Sequence, residues 1–517
     1  MNLVDIIAKN SRTYPNETAF VEVKPVTKLR KEIQWRPFDE KVNKIANALK
    51  EMGVHQGDRV LLFGRNSINW LEVYFGVLKT GAWIAPLNYR FTNEDIAYCA
   101  KVSQPVVCFC DEEFSERMMI LGPNFPTLKK SISMGEKTFE GMEDMESLIG
   151  RTSSKSFEAE LRDEDPCGLY FTSGTTGAPK PILLTQKNLF CSGVTEAANH
   201  LWKHGDSLLM IPPLYHSAIG HLLGPMVVGA RSVLLTEAIS PQVIFDTMSK
   251  EQLSVVFLLV PWTMDILGAL DRGDLQLKDY DLNCWRLMHM GAQPIPAVLI
   301  RRWKAYFPEM QYDTCYGLTE GSGPGVVDLG IGNERKIGAI GKPSLMWDLR
   351  IVDDRDEDVK QGQVGEIIVK GNGVMKEYYQ NPELTAQTIR NGWLHTGDLG
   401  RMDEEGFIYI VDRKKDLVIS GGENIYPVEI EAIILKHPKV RDAAVIGSPD
   451  ERLGEVVTAV VEPAEGETLT KEEVSSFCEK NLPRYKRPRH IFFDRVPRSP
   501  SGKIEKPKLR DKYGKPK

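Results

Sequence analysis

An α/β protein with a large N-terminal domain and a small α+β C-terminal domain is the architecture this sequence predicts. Three observations carry that expectation. The 517 residues are too many for one compact core. Strand-like and helix-like stretches alternate over the first part of the chain, the pattern of a doubly wound parallel sheet. From about Gly338 the character changes to short strands and turns, and past the charged run Asp412-Arg413-Lys414-Lys415-Asp416 lies a block of about 100 residues with helices and strands of its own. The expected organisation is residues 1–412 as the N-terminal domain, with two stacked α/β subdomains to about 337 and a β-subdomain over about 338–412, then residues 413–517 as the C-terminal domain.

In chain order, Val42, Ile45, Ala46, Leu49 and Met52 recur at helical spacing between Pro37 and Val54. A strand at Arg59 to Phe63 follows, then a helix from Trp70 to Lys79, a strand at Ile84 to Pro86, a helix from Asn93 to Ala100 and a strand at Val106 to Cys110. Residues 112–160 read as polar and irregular. The alternation resumes with strands at Leu208 to Ile211, Ser232 to Leu235, Val255 to Val260 and Leu287 to Met290, with helices at Pro241 to Lys250 and Pro296 to Lys304. Leu349 to Val352 and Glu366 to Val369 are the short strands of the third part. In the last block, helices are expected at Val428 to Leu435 and Lys471 to Glu479, and strands at Ala443 to Ile446, Val456 to Val461 and around Ile491.

Composition narrows the function classes. The chain is 42% hydrophobic and 26% charged, as ordinary soluble proteins are. No run approaches the ~18 apolar residues of a membrane span, and the N-terminus lacks a secretory pattern. The eight cysteines show no paired metal-ligand spacing and read as reduced thiols of a cytoplasmic protein. The net charge of −6 argues against nucleic acid, but it is uneven: from Lys480 onward, 14 Lys/Arg face 3 Asp/Glu, a net of +11. That tail is either a solvated basic face or a surface for a polyanion such as coenzyme A.

The most informative stretch is Tyr170-Phe171-Thr172-Ser173-Gly174-Thr175-Thr176-Gly177-Ala178-Pro179-Lys180. An apolar run leads into hydroxyl residues, two glycines and a lysine. Glycine lets backbone N–H groups approach a phosphate, hydroxyls add donors, and lysine adds charge. It is not the common P-loop, because Pro181 after Lys180 cannot easily open the helix that loop requires. A solvent-exposed turn is the alternative on composition. The order Thr-Ser-Gly-Thr-Thr-Gly-x-Pro-Lys resembles the phosphate loop of the adenylate-forming superfamily: acyl- and aryl-CoA ligases, luciferases and peptide-synthetase adenylation domains.

Further motifs extend the resemblance along nearly the whole chain. In that family, the tyrosine of Tyr316-Gly317-Leu318-Thr319-Glu320 stacks on adenine, the threonine touches the α-phosphate, and the glutamate binds Mg²⁺. Gly291-Ala292-Gln293-Pro294 matches the adenine-side turn. Asp398, in Trp393-Leu394-His395-Thr396-Gly397-Asp398, corresponds to the acceptor for the ribose hydroxyls, and Arg413 to a ribose or phosphate contact. The resemblance makes Lys415 the hinge about which the C-terminal domain turns, and Gly421-Gly422 the passage for the coenzyme A arm. Lys503, in Ser499-Pro500-Ser501-Gly502-Lys503, corresponds to the catalytic lysine of adenylation. His216 matches a residue that lines the acyl pocket, and Thr172 and Glu320 join it and Lys503 as the expected catalytic group. Tyr215, Ile219, Trp262, Gly321, Ser322 and Gly323 are candidate pocket residues.

The resemblance implies an ATP-dependent acid:CoA ligase, using ATP, Mg²⁺ and coenzyme A and passing through an acyl-adenylate. No arginine or lysine clearly awaits a second carboxylate, so the expected acid is a monocarboxylate with a cyclic, aromatic or medium-chain body. The reverse, ATP-forming direction stays open, as does a monomer or homodimer. Rival readings are a stand-alone enzyme loading a carrier protein, a luciferase-like oxygenase and a non-catalytic nucleotide sensor.

Overall fold

A computed structural model describes residues 2–135, 137, 139–172, 179–291, 295–499 and 503–514, the Ser217 side chain aside. Four sheets organise the described residues. The first has nine strands, in the order Lys342–Pro343, Gly323–Asp328, Gln311–Leu318, Leu287–Gly291, Val255–Leu259, Ser207–Met210, Arg231–Leu235, Thr18–Lys24 and Leu29–Gln34. Its centre is parallel and its two edges antiparallel. The second, of eight strands, centres on Pro166–Thr172, Trp83–Leu87, Arg59–Phe63 and Val107–Cys110. These central strands are apolar on both faces: Val60, Leu61, Leu62 and Phe63 are all fully buried. That is the signature of parallel strands covered by helices on both sides.

Helix Ile68–Thr80 is buried nearly all round, which explains why it lacks a polar face. Ser67 caps it by accepting from the Trp70 N–H, and Glu22 accepts from the Ile68 N–H at 2.9 Å. Its Tyr74 hydroxyl meets that of Tyr170 at 2.6 Å, tying the helix to the strand that leads into the glycine-rich loop. Asn66, just upstream, donates to the Pro212 carbonyl at 2.9 Å and accepts from the Leu214 N–H at 2.8 Å. One side chain of the second sheet's loop thus holds a loop of the first.

The third sheet carries Trp347–Val352, Gly365–Gly371, Trp393–Met402 and Ile408–Arg413. The fourth joins Val418–Ser420, Glu423–Ile425, Val440–Asp450, Gly454–Pro463 and His490–Phe493, with helices Pro427–Ile434 and Lys471–Asn481 packed on its core. The expected β-part is not self-contained, because Glu377–Tyr378 pairs with Lys180–Thr185 in the second sheet.

Two expectations need correction. Residues 112–160 are not irregular: they hold helix Glu112–Leu121, strand Lys130–Ser133 and helix Met145–Arg151. The first of these buries only Ser115 and Met118, too little apolar surface to write a helical period into the sequence. The N-terminal hairpin Thr18–Lys24 and Leu29–Gln34 was also unforeseen; it crosses to the edge of the first sheet, beside Arg231–Leu235.

Phe38 packs between Phe20 (ring centroids 4.7 Å apart) and Phe75 (6.1 Å), where that hairpin meets the helices of the second sheet. Replacing it with alanine should cost about 3–5 kcal/mol, read as an earlier onset of urea unfolding with near-native circular dichroism retained in buffer.

Candidate functional site

The glycine-rich loop joins strands Pro166–Thr172 and Lys180–Thr185, and Thr172 pairs with Lys180 at the mouth of this hairpin. Ser173, Gly174, Thr175, Thr176 and Gly177 lie outside the described residues, as do Ala292 and Gln293. Lys180 Nζ sits 5.3 Å from the centre of the Tyr378 ring, whose hydroxyl donates to Glu320 Oε1 at 2.7 Å. The loop's lysine and the candidate metal-binding carboxylate are thereby linked through one phenol.

Glu320 belongs to a single tight turn, Thr319–Gly321, that ends strand Gln311–Leu318. Its backbone carbonyl accepts from the Met375 N–H at 2.8 Å. Gly317 permits the close hairpin to Gly323–Asp328: a Cβ there would lie 2.1 Å from the Gly323 carbonyl oxygen. Gly291 ends the neighbouring strand, beside Phe257. Glu320 suits a magnesium ion, because its Oε2 takes no hydrogen bond from the described residues and magnesium asks for only one or two carboxylates beside phosphate oxygens.

Asp398 lies opposite Arg413 in the third sheet. Its Oδ2 accepts from the Tyr316 hydroxyl at 2.6 Å and its Oδ1 lies 3.4 Å from Arg413 Nε. The Tyr316 phenol is therefore spent on Asp398, and burial together with that carboxylate pushes its pKa well up. Thr396 accepts from the Asp398 N–H, and Gly397, with φ +72°, makes the bend.

Lys503 arrives from the far end of the chain. Its N–H donates to Ser499 Oγ at 3.2 Å, its carbonyl accepts from the Ser499 N–H at 2.8 Å, and Arg498 bridges to Ile504. Arg498 also holds both oxygens of Asp442 at 2.8 Å, which clamps the hairpin to the fourth sheet, and Arg510 on the following helix holds Asp416 at 2.6 Å. The Lys503 side chain enters a cleft lined also by His216, Gly317, Thr319, Pro324 and Phe257. Burial, with Arg413 and Lys415 adding repulsion, pushes its pKa down to about 8; Asp398 and Glu320 pull the other way. Burial and Arg413 also lower Lys415. Three cations and two carboxylates thus converge from four distant parts of the chain. Burial, then Lys503, pushes His216 down to about 3, so its imidazole is neutral at neutral pH.

Other expected residues are placed elsewhere. Tyr215 packs edge-on against Tyr89 and Ile219 is buried in the core, neither lining the cleft. Trp262 packs against a different core cluster. Gly321 is buried, Ser322 donates to the Gly373 carbonyl, and Gly323 begins a strand. Gly421 and Gly422 form an exposed turn with φ +59° and +87°. The cleft is instead walled by Pro212, Leu259, Phe257, Cys315 and His221, which sequence reasoning missed. Apolar residues inside buried strands carry no signal that separates a pocket wall from core.

With that geometry in view, the comparisons with known proteins fall into place. The model of the AMP-binding enzyme family matches residues 7–379, and that of the AMP-binding enzyme C-terminal domain matches 429–503. A feruloyl-CoA synthase of an Amycolatopsis species is 33% identical over 93% of this chain and 94% of its own. An indoleacetate–CoA ligase of Aromatoleum aromaticum is 30% identical, covering 99% and 98%. Among solved structures, the anthranilate CoA ligase AuaEII in complex with anthranoyl-AMP superposes with a TM-score of 0.90 at 26% identity, over 100% of this chain and 97% of that one. ATP-bound MatB from Rhodopseudomonas palustris gives 0.89 at 26%, over 99% of each.

A neutral imidazole at residue 216 has a direct reading. In proton–carbon NMR, the His216 Cε1–H should hold its neutral-form shift from pH 8 to pH 5; a shift that titrates within that range would overturn the neutral assignment. Lys503→Gln removes the lesser of the two causes, so the His216 midpoint should rise yet stay below the ordinary histidine value.

Proposed function

The chain belongs to the AMP-binding enzyme family, in its AMP-forming acid:CoA ligase branch, and from that premise we propose how its residues divide the work. ATP and coenzyme A are substrates of this class. In the first half-reaction, a carboxylate oxygen of the acid attacks the α-phosphorus of ATP. A bond forms from that oxygen to phosphorus, the bond to the β-phosphate oxygen breaks, and pyrophosphate leaves. In the second, the sulfur of coenzyme A attacks the acyl carbon, the acyl–oxygen bond breaks, AMP leaves and the thiol proton is released.

The difficulty of the first step is electrostatic, because an anion must approach a polyanion. The observation that carries our reading is the Lys503 ammonium group in the cleft, with the charges of Arg413, Asp398 and Glu320 acting on it. Lys503 would bridge the acid's carboxylate and the α-phosphate, Asp398 would hold the ribose, and Lys180 with the loop after Thr172 would hold the leaving phosphates. Magnesium on Glu320 and the nucleotide phosphates would supply further charge neutralisation. His216, held neutral, adds no charge that would trap the anionic acid. The Lys503 tip fills part of the cleft that the thiol must enter, so the second step needs the clamped C-terminal unit to withdraw. Lys415, in the short turn Lys414–Asp416, is the proposed pivot, with Gly422 following to the site. We place the domain boundary at that turn.

The acid is a monocarboxylate with an apolar, ring-sized body. Phe257, Leu259 and three prolines wall the cleft, while the relatives include feruloyl-CoA and indoleacetate–CoA ligases. These relatives do not favour a luciferase-like or carrier-loading activity. A reducing, cytoplasmic setting fits eight free cysteines, seven of them buried.

Lys503→Ala should slow acid-dependent exchange of labelled pyrophosphate into ATP by about 10²–10³, yet spare thioester formation from a supplied acyl-adenylate; equal losses in both would overturn the role. For wild type, kcat/KM of the exchange should fall as pH rises through about 8, where Lys503 loses its proton. Lys503→Arg should move that fall to higher pH whatever its absolute rate. Across benzoate, cinnamate, cyclohexanecarboxylate, hexanoate, palmitate and acetate, the ring acids should give the highest kcat/KM; a preference for acetate or palmitate would overturn the substrate reading.

A further inference from the structure

Beneath the acyl end of the cleft lies a buried set of carboxylates and imidazoles that the ligase chemistry does not use. His200 follows helix Gln186–Asn199, His289 sits mid-strand in Leu287–Gly291, Asp313 is its Cα partner on the next strand, and Asp328 ends the strand after that. Asp313, His289 and His200 are at most 2% exposed. Removing such groups from water costs several kcal/mol each unless a partner compensates.

Each of the four has one polar atom fixed and the other unused. Asp313 Oδ1 accepts from the Thr314 and Gly330 N–H groups at 2.8 and 3.1 Å. Asp328 Oδ1 accepts from the same Gly330 N–H at 3.0 Å. His200 Nδ1 lies 3.0 Å from Glu196 Oε2, and His289 Nε2 lies 3.4 Å from Cys315 Sγ. What remains is His200 Nε2, His289 Nδ1, Asp313 Oδ2 and Asp328 Oδ2, all buried and none taking a hydrogen bond from an N–H or O–H group of the described residues, the two aspartates facing each other closely enough to share a proton. One ligand atom each from His200, His289 and Asp313 falls within 4.8 Å of the others.

We propose that His200, His289 and Asp313, with Asp328 beside them, form a binding site for one divalent transition ion of the zinc class. A tetrahedral ion bonded at about 2.0–2.1 Å sets its ligands about 3.3 Å apart, and His200 Nε2 already lies 3.5 Å from Asp313 Oδ2. The carboxylate of Glu196 behind His200 is the usual outer partner of a metal-bound imidazole, fixing its ring and tautomer. Two imidazoles and carboxylates favour zinc over magnesium or calcium, which prefer oxygen throughout. The rival occupant is a single proton shared by the two aspartates. Because His289 touches Cys315, and Cys315 and His221 line the cleft, the ion would stiffen the pocket floor.

The site stands independently of the ligase reading, and so does its test. Full-length protein is stripped with a chelator, dialysed and titrated with Co²⁺ without nucleotide. The expected result is about one equivalent bound, with the intense visible bands of tetrahedral cobalt, displaced by Zn²⁺ and accompanied by a higher melting temperature. His289→Ala and Asp313→Asn should each weaken binding at least tenfold, while Glu320→Gln should keep the bands, since that residue serves magnesium. Absence of bands at ten equivalents, or only the weak spectrum of a six-coordinate surface site, would overturn the proposal in wild type alone, even if neither variant folds. Bands that survive in both variants would overturn it equally.

Discussion

The cleft is organised around one buried ammonium group, that of Lys503. An amine left half out of water loses part of its charged character, and the lowered pKa of Lys503 measures that cost. The protein meets it with geometry. Asp398 and Glu320 attract the amine from two sheets, and Arg413 and Lys415 repel it from behind. The result is a cation held in place but incompletely neutralised, which is the state in which it attracts an incoming carboxylate. The double hydrogen bond between Ser499 and Lys503, and the two-point grip of Arg498 on Asp442, keep the amine from relaxing into solvent.

Much of this was legible from residue order, and the rest was hidden for identifiable reasons. Glu320, Asp398 and Lys503 stand in short motifs whose glycines and hydroxyls are unusual together, and in the structure the charges of the two carboxylates act on the lysine. The central strands were legible because four consecutive buried apolar residues leave a clear run, as at Val60 to Phe63. Helix Glu112–Leu121 was not, because a helix that buries two small patches has no stripe to read. The pocket walls were hidden differently. Tyr215, Ile219 and Trp262 have the right chemistry and are near in sequence, yet strand pairing turns Phe257, Leu259 and Cys315 toward the cleft instead.

The polar set under the cleft illustrates the same limit more sharply. No closely spaced cysteine and histidine pairs give a metal signature, because these groups come from one helix end and three strands spread between His200 and Asp328. Only sheet register places His289 level with Asp313. The parallel strands that bury apolar runs elsewhere here enclose charge, and the backbone N–H groups of Thr314 and Gly330 orient it. A sheet can therefore assemble a ligand set that no local stretch encodes.

The amide of Asn66 has a practical consequence for anyone redesigning acid preference. It grips both the Pro212 carbonyl and the Leu214 N–H, so one wall of the cleft is braced by a residue some 146 positions earlier. Grafting residues 212–324 from a related enzyme as a cassette would transplant the wall without its brace. A chimera should carry the matching residue from the donor's earlier loop, or its new chamber will be lined correctly and shaped wrongly.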